Sequence, residues 1–380
     1  MMAEEQPPSM HEIDPVEALD RQRNGALLID VREPDERASG FAAASLALPL
    51  GELDRGIGAL APARSREVLA ICASGKRSRL AVERLHALGY AHARSVRGGY
   101  TRWLQQGLPS ELGNLDADFA ERYSRHLLLP EIGVAGQLRL AGARVALVGA
   151  GGLGAPVALY LAAAGVGGLR LIDDDRVERS NLQRQVVHTD ARIGVPKVES
   201  ARSALTALNP TLSIEAVAQR IEASNVEALL RGHDVIVDGA DNFPTRYLLS
   251  AASLRLGIPM VYGAVHRFSG QVSVFDPRRA DSPCYRCLFP HPPSAAEAPN
   301  CSEAGVLGVM PGIVGMLQAS ETLKLLLGIG EPLVGRLLCH DALAGTFREL
   351  RLPRDPECPG CSDPAAFSGY EDLARSCAAP

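Results

Sequence analysis

Four cysteines stand in two C-x-x-C pairs, Cys284 with Cys287 and Cys358 with Cys361. A pair at this spacing grips one metal ion through two thiolates. Two pairs complete a closed tetrahedral Zn2+ site with no open position, so the expected role is structural. Such an ion joins distant segments and contributes roughly 10 kcal/mol or more to folding. A redox C-x-x-C would instead be a single pair beside a thioredoxin-like pattern, which this sequence lacks. Another cysteine, Cys72, ends the apolar run Glu67–Ile71 and opens the loop Cys72-Ala73-Ser74-Gly75-Lys76-Arg77-Ser78, ahead of a helical segment, Arg79–Leu88. Loop amides and the positive end of that helix are expected to aim at the sulfur, and Lys76 and Arg77 add positive charge. They would stabilise an anionic thiolate or the extra sulfur of a persulfide.

A third constellation is rich in glycine. The β-type run Val145–Val148 leads into GAGGLG, residues 149–154, then an Ala/Leu segment of helix length to Ala164, then an apolar run ending on Asp173, Asp174 and Asp175. In such a β-loop-α-β unit the glycines let backbone amides approach a phosphate chain at a helix start, and the terminal acid accepts a ribose hydroxyl. The spacing of Gly149, Gly151, Gly154 and Asp173 also satisfies the dinucleotide fingerprint. On these residues alone NAD and ATP both remain open.

The elements that position these groups imply an α/β protein. With 380 residues, 46% hydrophobic and 22% charged, the chain is long enough for two or three domains with proper cores. A net charge of -5 without a basic stripe argues against nucleic acid. The acidic N-terminus lacks an apolar core, so no export signal is expected, and eight cysteines then point to a reducing, cytoplasmic setting. Gly305–Gly328, interrupted by Pro311, Gln318, Glu321 and Lys324, predicts a buried helix rather than a membrane span. Strands are expected at Ala26–Val31, His233–Val237, Ile258–Gly263 and Gly270–Phe275, with a hairpin at Leu337–Asp341 and Thr346–Leu350. A short amphipathic helix is expected at Glu121–Ile132, a linker at Pro109–Asp116, and Cys339 in the core.

LIDVREPDE (28–36), CASGKRS (72–78) and VRGGYTRW (96–103) followed by Gly107-Leu108-Pro109 together resemble a rhodanese domain over nearly its full length. The resemblance implies that Cys72 carries a persulfide and that Asp30 and Arg32 are a structural pair. RYSR (122–125), GAGGLG, Ser180–Gln185, Gly194–Glu199 and DGADN (238–242) resemble, in order, the MoeB/ThiF adenylyltransferases, bacterial relatives of ubiquitin-activating enzymes.

The expected architecture is therefore a rhodanese-like α/β domain at 11–110, a linker at 111–118, a Rossmann-like adenylating domain with a mixed β-sheet and four-cysteine zinc site at 119–365, and a tail at 366–380. In the fused relatives the rhodanese part follows the adenylating part; here it precedes it. The family's chemistry implies MgATP. Arg184 and Lys197 supply cationic donors for a triphosphate, Asp241 is a hard ligand for Mg2+, and Asp173 holds the ribose. Asn181 bonds phosphate or the attacking carboxylate. Gly149, Gly151, Gly152, Gly154, Ser180 and Asn242 complete the implied nucleotide set, while His188 and Asp190 are read as structural. Arg125 is implied to reach into a partner subunit's site, hence a homodimer. Cys301, in a Pro/Ala-rich loop, matches a cysteine that takes part in acyl or disulfide transfer in fused relatives.

The implied partners are a ubiquitin-like sulfur carrier ending Gly-Gly, foremost the small subunit of molybdopterin synthase, then a thiamine-pathway carrier, together with a cysteine desulfurase or other sulfur donor. An NAD-dependent oxidoreductase and a non-catalytic docking scaffold are the competing readings. Arg184, Lys197 and the cysteine pairs argue against the first, and Asp241 with both cations against the second.

Overall fold

The computed structural model describes residues 11–38, 40–111, 116–292, 305–363 and 367–373. It divides into two compact units, Met1–Gln137 and Leu138–Pro380. Cys301 and Cys377 lie outside the described residues.

In the first unit a parallel sheet runs in the order β1-β6-β5-β2-β4, formed by β1 (Glu12–Ile13), β2 (Leu27–Asp30), β4 (Leu46–Ala47), β5 (Val68–Ile71) and β6 (Arg94–Val96). Strands β2 and β5 read LLID and VLAI and are buried throughout. Helices cover both faces of a parallel sheet, so its strands are apolar without alternation. Leu27, Ile29, Val68, Ala70 and Cys72 face Ile57, Val82 and Leu85 on one side. Leu28, Leu69 and Ile71 face Leu19 and Trp103 on the other. A separate ribbon pairs β3 (Phe41–Ala42) with β7 (Ser110–Glu111), so Ser110 and Glu111 of the expected linker stretch are strand.

The helix expected over Glu121–Ile132 is corrected. Two short helices form instead, Ala117–Arg122 and Ser124–Leu127, separated by Tyr123, whose buried ring stacks edge-on against Phe119 at 4.9 Å. Pro130 ends the helical path, because it disfavours helical backbone at the residue before it and offers no N–H.

The second unit carries an eight-stranded mixed sheet. Its strands are β8 (Arg144–Val148), β9 (Gly168–Ile172), β10 (Ser213–Val217), β11 (Val235–Asp238), β12 (Met260–His266), β13 (Ser269–Phe275), β14 (Arg336–Asp341) and β15 (Thr346–Arg351), in the order β10-β9-β8-β11-β12-β13-β14-β15. The first five are parallel and the rest antiparallel. Because the chain leaves β8 toward β9 and later returns on its other side as β11, a crevice opens at the carboxyl ends of these strands, where open α/β sheets bind ligands.

The helix Val309–Leu327 packs on the helix Gly154–Ala164 and on β12. Its polar residues have tertiary partners. Gln318 Nε2 donates to Asp238 O (2.7 Å) and Val261 O (3.2 Å), and Glu321 Oε2 accepts from Leu333 N (2.8 Å). Cys339, on β14, is half-buried against the core. Among the described residues no helix is long and apolar enough to cross a membrane.

Candidate active site

The glycine loop is shaped by close approach. Gly149 adopts φ +94°, and a Cβ there would lie 2.5 Å from Gly239 O; a Cβ on Gly154 would lie 1.8 Å from Gly149 O. Only glycine fits either position. Ala150 between them is tied on both sides: its N–H donates to Asp173 Oδ2 (2.7 Å) and its carbonyl accepts from His188 Nε2 (2.9 Å), while His188 Nδ1 accepts from Ser200 Oγ (2.9 Å). Burial lowers the His188 pKa, so the imidazole is a neutral brace, in keeping with the structural role read from the sequence. Asp173 Oδ1 takes a further amide, Asp175 N, at 2.8 Å. Burial raises the Asp173 pKa, against the pull of Lys197 and the two amides.

These groups open onto a cavity of about 750 Å³, lined by Gly149, Gly151, Gly152, Asp173, Arg184, Lys197, Asp241 and Asn242 among others. Lys197 begins the helix Lys197–Leu208, is only 6% exposed, and places Nζ 2.7 Å from Asp175 Oδ2. Arg184 donates to Ser180 O at 3.2 Å. Asp241 is exposed, accepts from Asn242 Nδ2 at 3.5 Å, and among the described residues makes no ion pair. That leaves a hard carboxylate available to a divalent cation. Ser180, Asn181 and Gly154 are not among the lining residues. Asn181 Oδ1 accepts from Glu178 N (3.2 Å) in a capping box, and Asn242 Oδ1 caps the helix Phe243–Leu256 through Thr245 N (3.0 Å).

Sequence reasoning assigned no role to several lining residues. Arg246, 6% exposed, donates to Asp238 Oδ2 (3.2 Å), Ala240 O (2.8 Å) and Gly263 O (3.2 Å), and Asp238 is fully buried. Burial pushes the Asp238 carboxyl up to about 6, with Arg246 opposing the rise. Burial works against the Arg246 charge as well, but Asp238 and its other neighbours outweigh it and raise the guanidinium pKa. The ion pair fixes the DGADN loop to β12. Its one sequence signal is an arginine in an otherwise apolar helix start, FPTRYLL. Tyr262, Phe243 and Gln185 also line the cavity.

In the first unit, Cys72 is 1% exposed at the end of β5. Gly75 N donates to its Sγ at 3.2 Å, and the thiol lies 3.4 Å from Ser78 Oγ. The loop is clamped from outside: Tyr100 N donates to Cys72 O (2.7 Å) and Thr101 N to Ala73 O (3.0 Å), and a Cβ on Gly99 would lie 2.2 Å from Cys72 O. Arg77 makes a two-pronged pair with Glu36 (2.7 and 2.5 Å), which lowers the Glu36 pKa. Asp30, fully buried, pairs with Arg32 (2.6 Å) and Arg37 (3.0 Å), well away from any reactive role.

Cys284, Cys287, Cys358 and Cys361 come together with all four sulfurs within 4.8 Å of one another. Cys284 and Cys358 are 3.6 Å apart, as are Cys287 and Cys361. Zn–S bonds of about 2.3 Å set the edge of a thiolate tetrahedron at about 3.8 Å, so the cluster fits zinc. Amides of Asp355 and Gly360 approach Cys287 and Cys358 at 3.4 Å each, the contacts that steady metal-bound thiolates.

Fold and sites together define an ATP-using adenylyltransferase joined to a sulfurtransferase domain. The chain belongs to the ThiF family, whose model matches residues 123–360, and a rhodanese-like domain model matches residues 14–106. It is similar to the SAMP-activating enzyme E1 of Haloferax volcanii, 52% identical over 266 residues that cover 70% of this chain and 97% of that protein. It is also similar to the sulfur carrier protein adenylyltransferase of Thermus thermophilus, 51% identical over 64% of this chain and 91% of the relative. The adenylyltransferase and sulfurtransferase MOCS3-1 of Zea mays is 46% identical over 67% of this chain and 54% of its own length. Among solved structures, E. coli MccB shares the fold, with TM-score 0.57 at 22% identity over 69% of this chain and 80% of that one.

Proposed function

We propose that the adenylating domain, residues 119–365, activates the C-terminal glycine of a ubiquitin-like sulfur carrier with MgATP, and that the rhodanese-like domain, residues 11–110, supplies the sulfur that turns the product into a thiocarboxylate. One observation carries this reading: the glycine loop, Asp173, Arg184, Lys197 and Asp241 border a single cavity. The carrier carboxylate attacks the α-phosphorus and pyrophosphate leaves, giving an acyl-adenylate. Asp173 accepts from the ribose, and Arg184 and Lys197 draw charge from the leaving phosphates. Lys197 exchanges Asp175 for a phosphate oxygen as the nucleotide enters. Asp241 would hold Mg2+, which would neutralise charge on the triphosphate. Arg125 adds a cation from a partner subunit of a homodimer.

The terminal sulfur of a Cys72 persulfide, charged by a cysteine desulfurase or similar donor, then attacks the activated carbonyl and AMP leaves. The resulting acyl disulfide is cleaved when the Cys301 thiolate attacks the Cys72 sulfur. This releases the thiocarboxylate and leaves a Cys72–Cys301 disulfide for a cellular thiol to reduce. We assign the carrier to the molybdopterin synthase type and the reaction to the cytoplasm, where thiols stay reduced.

ATP–pyrophosphate exchange, measured with purified molybdopterin-type and thiamine-type carriers ending Gly-Gly, tests the reading. Exchange dependent on the first carrier is expected. Exchange with the second alone moves the assignment to the thiamine pathway, and no exchange with either, despite ATP binding, refutes the carrier.

A further inference from the structure

The wall of the nucleotide cavity beside Asp173 is not built from regular structure. After β10 the chain runs through 218–222 without ladder pairing, and Gln219, Arg220 and Ile221 of this stretch line the cavity. Such a segment holds its place through its fasteners. Arg220 pairs with Asp174 at 3.9 Å. A second is internal: Asn225 accepts from Glu222 N (2.9 Å) and donates to Arg220 O (2.8 Å). A third comes from far along the chain. Asp372 Oδ1 accepts the Ala223 amide at 2.8 Å across 149 positions, and Tyr370 OH donates to Glu227 Oε2 at 3.2 Å.

Around these bonds Tyr370 and Leu373 pack on the core cluster that contains Ile221, Val226 and Leu230. Phe367 stacks edge-on against Tyr370 at 5.1 Å and beneath the Arg255 guanidinium at 4.9 Å. Burial pushes the Tyr370 hydroxyl up to about 12, so it remains a donor at neutral pH.

We infer that residues 367–373 form a strap that holds the 219–223 wall of the cavity in its nucleotide-ready shape, with Asp372 and Tyr370 as positioning residues for the adenylation reaction. The inference rests on reading the cavity as the ATP site. Asp173 N donates to Val217 O at 3.2 Å, so the strapped loop starts where the ribose-binding acid starts. Arg184, Lys197 and Asp241 stand on other elements. Loosening the strap therefore weakens nucleotide binding and leaves the chemical step intact.

The test uses the full chain, Tyr370→Phe/Asp372→Ala, and a chain ending at Asp363. ATP affinity is measured by calorimetry, KM and kcat by carrier-dependent pyrophosphate exchange, and hydrogen exchange over 219–226 by mass spectrometry. Losing two hydrogen bonds of ordinary strength, each about two- to tenfold, gives a rise of about five- to a hundredfold in Kd and KM for ATP, with kcat kept and 219–226 exchanging faster. Unchanged affinity and unchanged exchange in the double variant would overturn the strap, whether or not the shortened chain folds. If the parent itself fails to bind ATP, the nucleotide reading falls, while faster exchange of 219–226 in the variant would still support the strap.

Discussion

Replacing Arg246 with methionine isolates the buried pair beneath the cavity. The guanidinium makes three hydrogen bonds, to Asp238, Ala240 O and Gly263 O, and its removal leaves the Asp238 carboxylate fully buried with Ala240 N as its remaining partner (3.0 Å). Breaking a buried ion pair from one side costs about 3–5 kcal/mol. The pH dependence has a definite sign. The Asp238 pKa stands at about 6 in the folded parent against an ordinary 3.8, and Arg246 is what holds it down. Without the guanidinium the folded value climbs further. The folded variant then binds a proton that the unfolded chain releases, and loses about 1.4 kcal/mol per pH unit as pH rises toward that value. In the parent this loss is nearly complete by neutrality.

Between pH 6 and 7.5 the variant should therefore fall a further ~1.5 kcal/mol behind the parent. Asp238→Asn/Arg246→Met should recover much of the deficit by removing the stranded charge. Urea unfolding followed by far-UV circular dichroism at both pH values measures this. Fluorescence of Trp103, the chain's one tryptophan and part of the first unit, supplies an internal reference that should not move. A deficit under about 1 kcal/mol, or one equal at both pH values, would refute the reasoning.

Cys72→Ala should abolish thiosulfate:cyanide sulfurtransferase activity while pyrophosphate exchange continues; sulfur transfer surviving the change would remove Cys72 from its assigned role. Parent protein should carry one zinc per chain by elemental analysis, and Cys284→Ser should release it and lower the unfolding midpoint of the second unit. Full zinc retention in that variant would count against the four-thiolate site. Mixing inactive Arg125→Ala and Asp241→Asn subunits should restore part of the exchange activity, because a hybrid dimer has one site free of both changes. No recovery in verified heterodimers argues that Arg125 does not act across subunits.

What could be read from sequence was local or carried by closely spaced motifs. Apolar runs ending on Gly149, Asp173 and Cys72 located three strand ends, since a buried parallel strand is recognisable from its own composition. The cysteine pairs were legible because their C-x-x-C spacing is itself the signal, and the structure brings the four sulfurs together. Pairings that depend on how helices pack were not. Nothing in FPTRYLL shows that Arg246 turns inward to Asp238, and Tyr370, Asp372 and Leu373 read as a polar tail because the apolar residues that anchor it are few. Asn242 illustrates a different difficulty. A short amide that suits a phosphate also suits a helix N-terminus; here Asn242 lines the cavity while its oxygen caps Phe243–Leu256. Over Glu121–Ile132 the amphipathic spacing suggested one helix, but Pro130 and the inward turn of Tyr123 prevailed.

The four-cysteine cluster also imposes an order of events on biosynthesis. Cys358 lies 74 positions beyond Cys284. At a ribosomal rate of about 5–20 residues per second, the first thiol pair waits roughly 4–15 s before its counterpart is even made. During that interval Tyr285, between the first two cysteines, has its aromatic neighbours Tyr247 and Tyr262 already synthesised and can pack against them. The cysteine pair it carries can thus be set in place as a half-site, and a metal held by all four thiolates would close only after the second pair arrives.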